Sequence, residues 1–373
     1  MKSIVNILLE FAVPLISGVL IALIWANLSY GTYVVMTQGT LHFVVNELFM
    51  ALFFGIAAKE IRESFLPEGK LYPIRSAVNP LIATMGGVAI PALTFLVWTH
   101  LSDDPAIGPG WGIPTATDIA LAWLVARVVF GKGHPAVSFL LLLAIADDGI
   151  GLAIIAIFYP DPNHPINPTW LGLVLLGMIM THVMRKKKVT HYCAYLLLPA
   201  PISWYGLYAA HLHPALALVF LIPLMPHAKV DYGLFVDTGH DTLSAFEHTF
   251  KKPVDIGLFA FGLTNAGVPF SSIGNVTWAV LMSLLVGKTV GVFGFGYLAH
   301  LCGMRLPKGI NARILLVVGM NAALGLTVAL FVAGVAFPPG ELQGAAKMGA
   351  LLSICAAPIT IVMGRLLRVK ERG

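Results

Sequence analysis

The sequence predicts an all-α polytopic membrane protein with about twelve transmembrane helices. Three observations carry that expectation. Of 373 residues, 58% are hydrophobic and 11% charged, with a mean hydropathy of +0.85. A soluble domain carries roughly 25% charged residues, so this chain lacks the ionic surface to face water. Twelve spans of roughly 20 residues occupy about 240 positions and leave little beyond short loops. Nearly all Lys and Arg fall in alternate connections, where a membrane protein carries its cytoplasmic charge. Together these exclude a soluble enzyme, a nucleic-acid binder and a disordered chain. The net charge of +5 is a topology signal.

Apolar runs bounded by Gly, Pro and charge place the first six spans near 4–26, 42–64, 76–98, 106–130, 135–158 and 169–185. The second six lie near 190–204, 210–225, 248–267, 277–301, 310–336 and 342–366. The first run follows Lys2, exceeds 20 residues, holds Glu10 and Pro14 and lacks a small-x-small cleavage site. It reads as a retained span rather than a signal peptide. Spans seven and eight are short and read as tilted or merged. Pro226 to Lys252 is the longest polar connection and reads as a cytoplasmic loop with short elements of its own. Cys193, Cys302 and Cys355 show no CxxC or CxxH spacing, which argues against a disulfide framework or zinc site.

Of the 23 basic residues, 21 lie at one face: Lys2, and those at the exits of spans two, four, six, eight, ten and twelve. The opposite connections, such as Ser29–Leu41, Thr99–Trp111 and Tyr159–Pro168, carry none. An even span count with both termini cytoplasmic follows. The Arg185-Lys-Lys-Lys188 run reads as a topology anchor. Lys288 and Lys347 are the two basic residues outside this set.

An ionisable group at the bilayer centre costs from about 2.5 to more than 10 kcal/mol, so it persists only beside protein or a wet cavity. Four stand near mid-span: Asp118, Asp147, Asp148 and Lys288. Lys288 is about 16 Å from either end of its run, beyond snorkelling reach. A structural ion pair is the bland alternative; three carboxylates and an ammonium at one depth favour a functional site. Gly112-Ile-Pro-Thr-Ala-Thr-Asp118 interrupts span four, and Gly319-Met-Asn-Ala-Ala-Leu-Gly325 disturbs span eleven. Two broken helices in corresponding halves suggest a midplane ion site built on inverted repeats, spans three to five against ten to twelve. Adjacent helical residues point about 100° apart, so Asp147 and Asp148 divide the work: one faces the cavity, the other Lys288 or Asp118. Sodium is a hard cation, suited to carboxylates, Thr117 and freed carbonyls.

At these residues the chain resembles the NhaA-type sodium/proton antiporter family, itself an established example of inverted repeats. The matches are Thr117-Asp118-Ile-Ala, Ala146-Asp147-Asp148-Gly149, Gly287-Lys288 and Asn265-Ala-Gly267, in order over essentially the whole chain. The resemblance implies one domain, 1–373, with its repeat core near 76–158 and 277–366. It implies exchange of cytoplasmic Na+ or Li+ for external H+ by competition at buried aspartates, in a bacterial inner membrane. Asp148 would be the main cation-binding carboxylate and Asp147 its partner, the two holding Na+. Asp118 with Thr117 would compensate facing half-helix dipoles and help bind the ion. Lys288 would balance charge and pair with Asp147. His213 and Glu247 match pH-response positions. No cofactor is implied; the partners are Na+, H+, the lipid bilayer and a second copy of the chain. Lys59 stands where the family has a glutamate, with Glu60 one place along, and Asp255 has no assigned role. Ser29–Leu41 is shorter than the family's hairpin-bearing segment that makes a dimer contact. A sodium-coupled solute symporter is the nearest rival, and it would need a larger polar cavity. An intramembrane aspartyl protease would separate its aspartates and carry GxGD, whereas this chain has Asp147-Asp-Gly-Ile-Gly151.

Overall fold

A computed structural model describes residues 2–66, 74–131, 133–160, 164–226 and 242–369, and among them every regular element is helical. Helices α1 (Lys2–Leu28), α2 (Tyr30–Thr37), α3 (Thr40–Ser64) and α4 (Ile74–Leu101) open the chain. A tight 3-10 segment, Pro105–Thr115, leads into α5 (Ile119–Val129), and α6 is Pro135–Phe158. Next come α7 (Leu171–Lys186), α8 (Tyr192–Leu197), α9 (Pro199–Ala209) and α10 (Pro214–Leu224). The last five are α11 (Thr242–Asn265), α12 (Asn275–Leu301), α13 (Ala312–Ala322), α14 (Leu326–Ala336) and α15 (Glu341–Leu366).

Among the described residues, five helices, within α3, α4, α6, α12 and α15, are long and apolar enough to cross a membrane. Two further pairs qualify jointly but are bent, by 55° between 105–115 and α5 and by 48° between α13 and α14. Large apolar side chains such as Leu28, Leu101, Ile256 and Leu366 are exposed. In a chain this poor in charge, such a surface suits acyl chains.

Two departures from the sequence reading concern connections. Ser29–Leu41 contains helix α2, because Tyr33 anchors it. The Tyr33 ring is buried and its hydroxyl donates to the Leu263 carbonyl at 2.9 Å while accepting from Gly267 N at 3.2 Å. The polar stretch before Lys252 is helical from Thr242 onward, where buried Leu243 and Phe246 give it an apolar face; 227–241 lie outside the described residues. The basic residues Lys70, Lys132, Lys229, Lys370 and Arg372 also lie outside them, as does the Arg75 side chain.

Two helix groups share the molecule. In one, α1 packs along α11, α7 on α9 and α3 on α10; in the other, α4 packs along α12, α12 on α13 and α15, and α14 on α15. The α4–α12 contact is made by backbone meeting backbone. A Cβ added at Gly291 would stand 2.1 Å from the Gly86 carbonyl oxygen, and one at Gly86 2.3 Å from the Gly291 oxygen. Small residues allow this approach, and dispersion rewards it where lipid supplies no hydrophobic drive. Gly291→Val is therefore expected to destabilise the fold by about 1–3 kcal/mol or more, read as a lowered thermal midpoint in lipid nanodiscs.

Both α3 and α12 contain a π turn, Val44–Phe49 and Ser283–Lys288 respectively. A π turn inserts an extra residue and redirects the side chains around it, and such turns gather at functional positions. One ends at Lys288; the other contains Asn46 and Glu47.

Candidate ion-binding site

The two bent pairs cross at their breaks, residues 116–118 and 323–325. Pro114 closes the 3-10 segment, after which Ala116 (φ −90°, ψ 155°) and Asp118 (φ −82°, ψ 102°) are extended. Extension frees backbone groups that must find partners in an apolar interior. The other break supplies them. Asp118 N donates to the Leu324 carbonyl at 2.6 Å, and Asn321 Nδ2 donates to the Ala122 carbonyl at 2.8 Å. Gly325 suits the close crossing, since a Cβ there would come within 3.1 Å of the Ala116 oxygen.

Asp118 caps two helices at once. Its Oδ1 accepts from Leu121 N at 3.1 Å, in the first turn of α5. Its Oδ2 accepts from Thr327 N at 3.2 Å and from the Thr327 hydroxyl, at the start of α14. A carboxylate between two helix N-termini satisfies orphan N–H donors and opposes both positive dipole ends. Thr327 escaped the sequence reading; a threonine two places after the glycine of a broken span was the available signal. Thr327→Val is expected to cost about 1–2 kcal/mol of stability, measured by thermal unfolding in nanodiscs.

Beside this crossing lies the second layer of charge. Asp147 and Lys288 are both 0% exposed, with Lys288 Nζ 2.9 Å from Asp147 Oδ2. The ammonium also donates to the Thr115 carbonyl at 2.5 Å, which the end of the 3-10 segment leaves free. Gly87 on α4 lies beside the lysine stem, and its missing Cβ leaves space for Val292, whose Cγ2 would stand 2.8 Å from it. The Thr117 hydroxyl reaches Asp147 Oδ2 at 2.7 Å and the Ala322 carbonyl at 2.9 Å. It carries one proton, so it serves one acceptor at a time.

Asp148, one position on, turns to a different side. It interacts electrostatically with Asp147, Glu60, Asp118 and Lys288. Asp147 Oδ1 and Asp148 Oδ1 are both buried without a hydrogen-bond partner, whereas both Asp118 oxygens accept bonds. The unused oxygen capacity is therefore on the adjacent pair. No group of three or more His, Cys, Asp or Glu suited to a metal gathers among the described residues. An oxygen shell for sodium here would have to draw on Thr117 or backbone carbonyls as well as the two carboxylates.

A cavity of about 410 Å³ is lined by Gly149, the residue after Asp148, with Leu152 and Ala153 of α6, Ala58 and Arg62 of α3, and Leu216 of α10, among others. Thr117, Asp118, Asp147, Asp148 and Lys288 thus converge, while His213 and Glu247 lie apart. The His213 ring packs on Phe331, centroids 4.7 Å apart, and its Nδ1 stands 3.4 Å from Glu47 Oε2. Glu247 pairs with Lys59, which also contacts Glu63 at 2.6 Å. Lys59 therefore turns toward α11, and Glu60 is the α3 carboxylate coupled to Asp148.

Comparison with known proteins agrees with this architecture. A family model described as Na+/H+ antiporter 1 matches residues 7–364. The Na+/H+ antiporter NhaA 2 of Pelobacter propionicus is 57% identical over 380 aligned residues, covering 100% of both chains. The Na+/H+ antiporter NhaA of Geobacter sulfurreducens is 55% identical, again covering 100% of both. Among solved structures, the sodium proton antiporter MjNhaP1 from Methanocaldococcus jannaschii at pH 8 is similar in fold. Its TM-score is 0.55 at 16% identity, over 96% of this chain and 97% of that one. The chain belongs to the NhaA Na+/H+ antiporter family.

Proposed function

We propose that this protein is a secondary antiporter, exchanging cytoplasmic Na+ or Li+ for external H+ across a bacterial inner membrane. The observation that carries the reading is the buried, unpartnered oxygen of Asp148 beside the Lys288–Asp147 pair at the crossing of two bent helix pairs. Carboxylates held in a low-dielectric interior are unstable as bare charges, so each takes up either a proton or a cation. One site with two alternative occupants exchanges them by competition. Asp148 binds the cation with Asp147 and Thr117, Asp118 holds the helix ends that frame it, and Lys288 neutralises Asp147 while the site lacks sodium.

Twelve crossings with both termini cytoplasmic fit the one-sided placement of Lys and Arg. The cavity between Arg62 and Gly149 would then lead inward from the cytoplasmic side toward Asp148. Its lining is apolar apart from Arg62 and lacks the polar groups a symported solute would need, which speaks against the symporter. Alternating access would move one helix group against the other around the crossing. If two protons return per sodium, each cycle moves net charge, and the membrane potential contributes about 2.3 kcal/mol per charge per 100 mV. His213 with Glu47, and Glu247 with Lys59, are then the candidates for pH response, and a second copy of the chain is the expected protein partner.

The test uses proteoliposomes holding a trapped pH dye. Sodium or lithium added to one side should move protons the opposite way, with saturation. Flux of sodium without proton movement would refute antiport, and a response that never saturates would indicate a channel.

A further inference from the structure

Asn265, which matched the family pattern at the end of span nine, plays no part in the aspartate site. It anchors a second buried polar cluster. Asn265 Nδ2 donates to Asn46 Oδ1 at 2.9 Å, and the Asn46 amide lies 2.7 Å from His42 Nε2. Asn46 is in the π turn of α3, so its orientation is a product of that irregularity. The remaining member is Lys347 of α15, 6% exposed. A Cβ at Gly334 would meet Lys347 Cε at 3.9 Å and Asn265 Oδ1 at 4.0 Å, so lysine stem and amide flank one point on α14. Lys347 also interacts electrostatically with His42. Among the described residues no carboxylate lies within ion-pair distance of its ammonium.

An unpaired buried ammonium is costly, and a methionine would fill the same space more cheaply. Its position suggests what the charge does. His42 opens α3, Asn265 ends α11 and Lys347 lies in the second turn of α15. All three lie toward the span ends opposite Lys59, Arg62 and Arg365, the face that carries few basic residues. Gly334 is seven residues beyond Thr327 on α14, about 10 Å along the helix from the cap on Asp118. The cluster also joins the two helix groups: Lys347 and Gly334 belong to one, Asn265, Asn46 and His42 to the other.

We propose that Lys347, buried across Gly334 from the Asn265 amide, is the charged bolt of an outer gate. It bars sodium from the passage between the aspartate site and the external face, and it sets the affinity for sodium arriving from that side. Outward opening parts Lys347 from the Asn265–Asn46 pair as the groups slide. The inference rests on the antiport reading, and the experiment separates the two.

Sodium-driven proton movement is measured in right-side-out and in everted vesicles from cells devoid of other sodium–proton exchange. Wild-type exchange must appear first; its absence would defeat the antiport reading rather than the gate. Lys347→Gln is then expected to lower the apparent KM for external sodium about tenfold, the scale of one unit charge acting over about 10 Å at an effective dielectric near 20. The KM for internal sodium should stay within about twofold, since a loss confined to one side is not a loss of uniform binding. Lys347→Arg should restore the wild-type external value. Unchanged KM on both sides, or an equal shift on both, would overturn the gate. Should Lys347→Gln fail to fold, Asn265→Ala, which removes the amide across Gly334 from the lysine, is expected to shift the external KM in the same direction. Symmetry of the two sides in that variant would overturn the proposal equally.

Discussion

Asp148→Asn is expected to reduce sodium-induced proton release to the level of empty vesicles while leaving the protein folded. The substitution keeps the shape of the side chain but removes the group that takes either a proton or a cation. Asp148 Oδ1 is buried and unpartnered, so no structural hydrogen bond at that oxygen is lost. An amide there is cheaper to bury than a charged carboxylate, and the thermal midpoint should hold or rise. Dye dequenching in everted vesicles on adding sodium measures the first outcome, and a thermal melt in nanodiscs measures the second. Undiminished dequenching would remove Asp148 from the site.

Lys288→Met has the largest expected effect on stability. It strands a fully buried Asp147 carboxylate that the ammonium meets at 2.9 Å. Removing one partner of a buried pair costs about 3–5 kcal/mol, because the other charge is left uncompensated. The double variant Lys288→Met with Asp147→Asn should recover much of this loss, with a coupling of about 0.5–3 kcal/mol in the cycle. Thermal unfolding of the four proteins in nanodiscs supplies the comparison. Additive losses would mean that the two groups do not act as a pair. Exchange should be weakened in both variants, since either change leaves the Thr117 and Thr115 contacts without their proper charge.

Much of this was legible beforehand. Apolar run lengths, the one-sided Lys and Arg, and charges far from any span end are local properties of the chain, and each has a direct cost in lipid. Pro114 and the Gly319–Gly325 segment announced the two breaks because proline and glycine act on their own backbone. The elements read less well were those held by distant partners. Helix α2 depends on a Tyr33 hydroxyl meeting Leu263 and Gly267. The π turns carrying Asn46 and Lys288 have no local signature. Thr327 became visible only when Asp118 was found across from it. The alignment of Lys59 with a family glutamate likewise does not foretell its partners, Glu247 on α11 and Glu63 one turn along α3.

The sequence by itself determined that the chain is a helical membrane protein, where two of its helical runs are interrupted, and which four ionisable groups lie far from any span end. Tertiary structure decided how those groups divide. Asp118 is consumed by three donors at two helix ends, Asp147 is bound to Lys288, and Asp148 keeps an unengaged oxygen. Hydropathy and spacing report the cost of placing a charge in the bilayer. They do not report its partners, because donors from 200 residues away, such as Thr327 to Asp118, are brought in range only by the crossing of the two chains of helix.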